Sequence, residues 1–233
     1  MAGSYPSRLG KIPPVPLRDQ VLGILDSYAS LLVLLLANFF LLELVDDPRW
    51  GAIGSTLLAA AALVVAISDP STGHRITRRH AIQILACVAL APIVLFVNSA
   101  ELLGLTYLLP ATMLVTATLP VTINRVLHHR RVTVETVLGA LCAYVLLGLL
   151  FAFVFLAIED LGWTFFAQPG EHPQSEYLYF SFSALTTLGL SASTPSVGLP
   201  QALTALEALA GSIFLVTLVA RLVTLWVRQS GGD

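Results

Sequence analysis

Six apolar segments alternate with short polar stretches along this chain, at residues 22–44, 51–68, 80–97, 102–123, 133–158 and 200–226. Wound as a helix at 1.5 Å per residue, each crosses or nearly crosses about 30 Å of hydrocarbon. Hydrophobic residues make up 56% of the 233, about 130 side chains, which is what six spans of about 20 residues require. Charged residues are only 11%, against roughly 25% in ordinary globular domains, so disorder, a coiled coil and a soluble enzyme all fit poorly. An all-α membrane protein is the class to expect. The 12 Lys and Arg form no basic cluster outside short loops, and nothing favours nucleic-acid binding.

Charge placement orients the spans. Arg8, Lys11, Arg18, Arg75, Arg78, Arg79, Arg125, Arg130, Arg131 and Arg228 fall on the side of the N-terminus, and Arg49 falls on the other. The positive-inside rule then puts both termini in the cytoplasm, which needs an even number of spans and agrees with six. Trp50, Trp163, Phe165 and Phe166 are expected at the outer interface and Trp226 at the inner one, as an aromatic belt. Residues 1–20 are polar and Pro-rich and run into a long apolar segment, so the first span reads as retained and not as a cleaved signal. Cys87 and Cys142 lie in apolar runs and read as small hydrophobes. From Leu102 to Asn124 there is no charged residue, so the fourth span cannot carry gating charge; Pro110 and Pro120 predict kinks in it.

Residues 176–187 are too short to span a bilayer, and Ser175 is placed as an N-cap for a half-helix. The stretch Leu188-Gly189-Leu190-Ser191-Ala192-Ser193-Thr194-Pro195 that follows is rich in small and hydroxyl residues. Irregular backbone at membrane depth survives only where protein buries it or where it lines an aqueous path. A half-helix and non-helical strand between two full spans therefore signal a re-entrant loop, with the negative end of the helix dipole aimed at a cation.

The residues Tyr179-Phe180-Ser181-Phe182, Thr186-Thr187-Leu188-Gly189, Thr194-Pro195 and Leu206-Glu207-Ala208-Leu209-Ala210-Gly211 carry a resemblance to the pore region of bacterial potassium channels. It covers residues 132–227, while residues 1–131 are similar to the four-span peripheral domain of six-span members only in span count and topology. The resemblance implies two parts, an N-terminal tail and four-span domain without sensor arginines (1–131) and a pore domain (132–233). It further implies a homotetramer in a prokaryotic inner membrane, passing potassium, with no cofactor and no enzymatic chemistry. Thr187, Leu188, Gly189, Leu190 and Ser191 become the filter strand, whose carbonyls and Thr187 hydroxyl replace the ion's hydration shell. Thr186, Ala192 and Glu207 become its supports. Gly211 falls at the inner-helix hinge position, where close helix packing is an equally good account, and Leu215 and Val219 follow on roughly the same face toward the inner pore.

Departures from the family pattern are informative. Leu190 stands where the family has Tyr, Ser191 replaces the second filter Gly, and Ala192 replaces an Asp. A left-handed backbone at Ser191 would cost about 1 to 2 kcal/mol per chain. The inner half of the filter motif is intact and the outer half is not, so weak discrimination between potassium and sodium is expected. A non-conducting or regulatory channel-like subunit is the alternative; a small secondary transporter fits less well, because no internal repeat relates 20–125 to 130–227. Glu207 must face protein, with Thr186 or Ser183 as candidate partners behind the half-helix, either as a carboxyl satisfied by hydroxyls or as one carrying its proton. Glu135 suits a helix N-terminus or pairs with Arg130 or Arg131, and His128-His129 lacks the further ligands of a metal site. Residues 1–20 and the few after 226 are too short for a ligand-sensing domain, so gating is expected to come from a partner, lipid or pH, if it exists.

Overall fold

A computed structural model describes residues 17–45, 47–68, 81–87, 89, 100–120 and 134–230. The elements are helices α1 (Leu17–Leu44), α2 (Pro48–Ser68) and α3 (Ala100–Met113), a π-helical turn (Leu114–Thr118), and helices α4 (Val134–Asp160), α5 (Gln174–Leu185) and α6 (Leu199–Ser230). Among the described residues there is no strand, only one isolated bridge between Phe166 and Pro195. Three stretches, Pro48–Ala66, Val137–Asp160 and Leu199–Arg221, are long and apolar enough to cross a membrane, and Ala29–Leu44 and Leu102–Thr116 are shorter apolar helices. This composition is compatible with a membrane protein. Residues 81–87 of the expected third span are helical, and the rest of it lies largely outside the described residues, as do Lys11, Arg130, Arg131 and His128-His129.

Local chemistry sets the helix boundaries. The Arg49 amide donates to Asp47 Oδ1 at 2.9 Å, an N-cap bond, and Pro48 fills the first helical position of α2, where its missing N–H costs nothing. At the end of α4, Trp163 N–H reaches the Ile158 carbonyl at 3.1 Å and Gly162 N–H the Glu159 carbonyl at 2.9 Å, with Gly162 at φ +89. That is a Schellman ending, and it needs a residue without a Cβ penalty at Gly162. Pro110 lies inside α3 and cannot donate to the Thr106 carbonyl one turn back. The Thr56 hydroxyl of α2 fills the gap, donating to that carbonyl at 3.3 Å. The bond that Pro110 cannot make is thus supplied by Thr56, and a π-turn follows four residues on.

The core forms around α4, which packs on α1, α3, α5 and α6. Burial covers 72% of its span, against 11% for α6. Phe155 stacks at 4.3 Å between ring centres with Phe165, which also meets Phe166, Tyr177 and Phe180 at 5.0, 5.8 and 5.6 Å. Here the aromatic-belt reading needs correction. Trp50 and Trp163 are exposed, but Phe165 and Phe166 are fully buried and cement the α4–α5 connection to both helices. Both cysteines are buried free thiols, in keeping with small hydrophobes. The side chains of Glu135 and Trp226 lie outside the described set.

Glycines permit the closest helix approaches. A Cβ on Gly148 of α4 would lie 2.6 Å from Phe182 Cζ, and one on Gly211 of α6 would run into the Leu185 carbonyl oxygen. α6 continues unbroken through Gly211. The obstacle at Gly211 is backbone, so Gly211→Ala is expected to lower the thermal midpoint of the full chain in nanodiscs, at an overpacking cost of about 1–3 kcal/mol. An unchanged midpoint would mean that α5 and α6 separate freely.

Candidate functional site

The half-helix α5 begins at Gln174 with Pro173 as its cap residue and no side-chain capping bond. Ser175 is therefore inside the first turn and not the N-cap the sequence suggested. At the other end, each of the last four carbonyls has a partner. Phe182 O accepts from the Thr186 amide at 3.1 Å and the Thr186 hydroxyl at 2.6 Å. Ser183 O accepts from the Leu188 and Gly189 amides at 3.0 and 3.3 Å, Ala184 O from the Thr187 amide at 2.9 Å, and Leu185 O from the Tyr144 hydroxyl of α4 at 3.2 Å. The Leu190 amide donates to Ser183 Oγ at 2.7 Å. The segment after α5 is held by its own N–H groups to the helix it follows, which satisfies most of the helix terminus.

Those bonds use the amides of 187–190 and leave the carbonyls. Among the described residues no hydrogen bond ends on the carbonyls of Thr187, Leu188, Gly189 or Leu190. All four residues are exposed, Leu188 and Leu190 at 64% each. The Thr187 hydroxyl donates to Thr186 O at 2.7 Å, with its lone pairs unused. Backbone strain falls elsewhere than expected: Thr187, at φ +57, is the left-handed non-glycine residue among the described positions, and Ser191 is not one. Holding a β-branched residue there costs on the order of 1–2 kcal/mol. Gly189, at φ +62, takes the other left-handed position at little cost. Chemically, the segment is a short row of unclaimed backbone dipoles next to the C-terminal end of a helix, an arrangement suited to cations.

Behind α5, Glu207 of α6 is fully buried. Its partner is neither Thr186 nor Ser183. Thr186 caps its own helix and Ser183 serves Leu190, whereas Ser181 Oγ lies 2.5 Å from Glu207 Oε1 and 2.8 Å from the Gly148 carbonyl. The Ser181 hydroxyl thus lies within hydrogen-bond distance of an acceptor on each of the two neighbouring helices. This junction ties α4, α5 and α6 at one point. Gly211, one turn along α6, receives the Leu185 carbonyl. Leu215 and Val219 lie farther along, on the exposed face of α6 and apart from the loop.

A second set of contacts holds the far part of the loop, and the sequence reading missed it. Gln168 donates from Nε2 to Thr194 Oγ1 at 3.2 Å and to the Ala192 carbonyl at 3.4 Å, and accepts from the Thr194 amide at 3.1 Å. The Ala167 amide donates to Thr194 O at 2.8 Å and the Ser196 amide to Phe165 O at 2.8 Å. Ser193 Oγ donates to Glu176 Oε1, and Glu176 Oε2 meets His172 Nδ1 at 2.8 Å. The available signal was the spacing of Gln168, His172 and Glu176 by four residues, in and just after the connection before α5. Ala192 contributes its carbonyl, not its side chain.

Comparison with protein-family models, with curated proteins and with solved structures finds no match for this chain.

The junction predicts how substitutions rank. Glu207→Gln keeps a polar partner for Ser181 Oγ and is expected to hold stability within about 1 kcal/mol, whereas Glu207→Ala leaves a void and leaves the Ser181 hydroxyl only the Gly148 carbonyl, and should cost about 2–4 kcal/mol. Thermal unfolding of the two variants in nanodiscs checks the order, and equal midpoints would show that Glu207 contributes no hydrogen bond.

Proposed function

We propose that the chain is one subunit of a passive cation pore of potassium-channel type. In this reading it has six spans, α5 is the pore helix, 187–191 is the filter, residues 1–131 form the peripheral domain and 132–233 the pore domain. Four copies surround the pore axis, both termini lie in the cytoplasm, and the membrane is the inner membrane of a prokaryote. The observation that carries the proposal is the row of unclaimed carbonyls on the exposed residues Thr187–Leu190 beside the end of a half-helix, between two long apolar helices. One strand cannot surround an ion, and a fourfold ring can.

The bareness of α6 supports assembly. Leu206, Leu209, Ile213, Val216, Val219 and Val223 are exposed along it. A groove of about 440 Å³, lined by Phe180, Ala184, Thr187, Thr204 and Ala208 among others, faces the same loop. Neighbouring copies fill this groove and lipid covers the remaining apolar surface. The second reading, a non-conducting subunit, draws on a different observation. Two successive amides, Leu188 and Gly189, fold onto one carbonyl, a tighter path than an extended strand.

Purified protein in liposomes under potassium, sodium and chloride gradients tests the reading. The expected result is cation flux with weak preference for potassium and little change of open probability with voltage, since the fourth span lacks charge. Crosslinking in native membranes should stop at the tetramer; a monomer or dimer alone would rule out the pore. Changing Leu190→Tyr, Ser191→Gly and Ala192→Asp together should raise the potassium-to-sodium permeability ratio. A wild type already strongly potassium-selective would refute the selectivity reading, and a silent wild type that conducts after the triple change would favour the non-conducting subunit.

A further inference from the structure

The loop residues that resemble a filter have lost the side chains that would tether their far end, yet that end is tethered. Ser193 donates to one oxygen of the Glu176 carboxylate, and His172 Nδ1 faces the other at 2.8 Å. His172 Nε2 faces the Gln168 carbonyl at 3.1 Å, and the Gln168 side chain holds Ala192 and Thr194. Both ring nitrogens of His172 therefore face acceptors. A neutral imidazole carries one N–H and satisfies one of them; an imidazolium carries two and satisfies both. The geometry at His172 is that of the charged ring.

We propose that His172, Glu176, Gln168 and Ser193 form a proton-set clamp on residues 192–194, closed when His172 carries both ring protons and loosened when it loses one. His172 is a positioning residue acting through Glu176 and the Gln168 backbone. The charged groups that face it are Glu176 on α5 and Glu159 on α4, while Phe166 at 4.8 Å and Tyr177 at 6.5 Å supply aromatic contacts and Glu171 precedes it in the chain. Burial alone would lower the imidazole pKa, but the bonds to Glu176 and the Gln168 carbonyl, with the charges of Glu176 and Glu159, outweigh it and raise the value above the ordinary 6.5. The sign follows. Because the folded value is raised, the clamp's contribution is fully present below pH 6.5 and is lost as pH rises through the folded value.

The clamp deepens the pore reading, where it holds the outer mouth, but its test needs no current. Hydrogen exchange of the Ser193 and Thr194 amides in the full chain in nanodiscs, corrected for intrinsic exchange, is expected to quicken about tenfold as pH rises from 5.5 to 8.5, the worth of a charge-assisted bond. In His172→Gln the exchange is expected to be fast and flat with pH. In Glu176→Gln the His172 ring, followed by NMR, should titrate lower than in wild type. A flat wild-type profile, a pH dependence that persists in His172→Gln, or a wild-type His172 titrating below 6.5 each overturns the clamp. Liposome flux measured alongside separates the two ideas: absent flux with switching exchange rejects the pore and keeps the clamp, and flux with flat exchange does the reverse.

Discussion

A helix that stops within a fold must find partners for the four carbonyl groups of its last turn. The end of α5 meets this demand with the chain's own next residues and with Tyr144 of α4. Everything peculiar to residues 186–190 follows from it. The amides turn back toward the helix, the carbonyls are left over, and Thr187 is pushed into a left-handed backbone. The unclaimed carbonyls are thus a by-product of capping the end of α5.

The position of α5 depends in turn on what surrounds it. Aromatic rings from α4 and from the connection after it hold one side, with Phe155, Phe165, Phe166, Tyr177 and Phe180 in mutual contact. On the other side, Glu207 and Gly211 of α6 meet Ser181 and the Leu185 carbonyl. One contact is polar and directional, the other is mere absence of a side chain, and together they fix both the rotation and the depth of the half-helix. A shift of α6 along its axis would break the first and clash at the second.

Much of this architecture can be read from the sequence, because spans are written in composition. The boundaries of α1, α2, α4 and α6 follow the apolar runs, and the half-helix between α4 and α6 announces itself by its length. What cannot be read is which polar group answers which. Glu207 had to meet a hydroxyl, but Ser181 and Ser183 lie on the same short helix and Thr186 just past its end, and only the rotation of the helix about its axis selects Ser181. Phe165 and Phe166 look like interface residues beside Trp163 until the Schellman turn at Gly162 sends the chain back inward. The clamp around His172 joins residues 168, 172 and 176, spaced four apart, to Ser193 across the loop; the chain is not helical before Gln174, so that spacing announces no shared face, and nothing in the pattern points to Ser193.

The π-turn at Leu114–Thr118 has a consequence for comparing this chain with others. A π-turn accommodates one residue more than an α-turn, so the side chains beyond it are rotated by about 100° from where an unbroken α-helical count would set them. The face of the helix before Met113 and the positions of Leu119 and Pro120 therefore belong to different phases. A relative lacking a single residue between 114 and 118 would keep the contacts on both sides, and what reads as a gap in mid-helix would be only a change of winding.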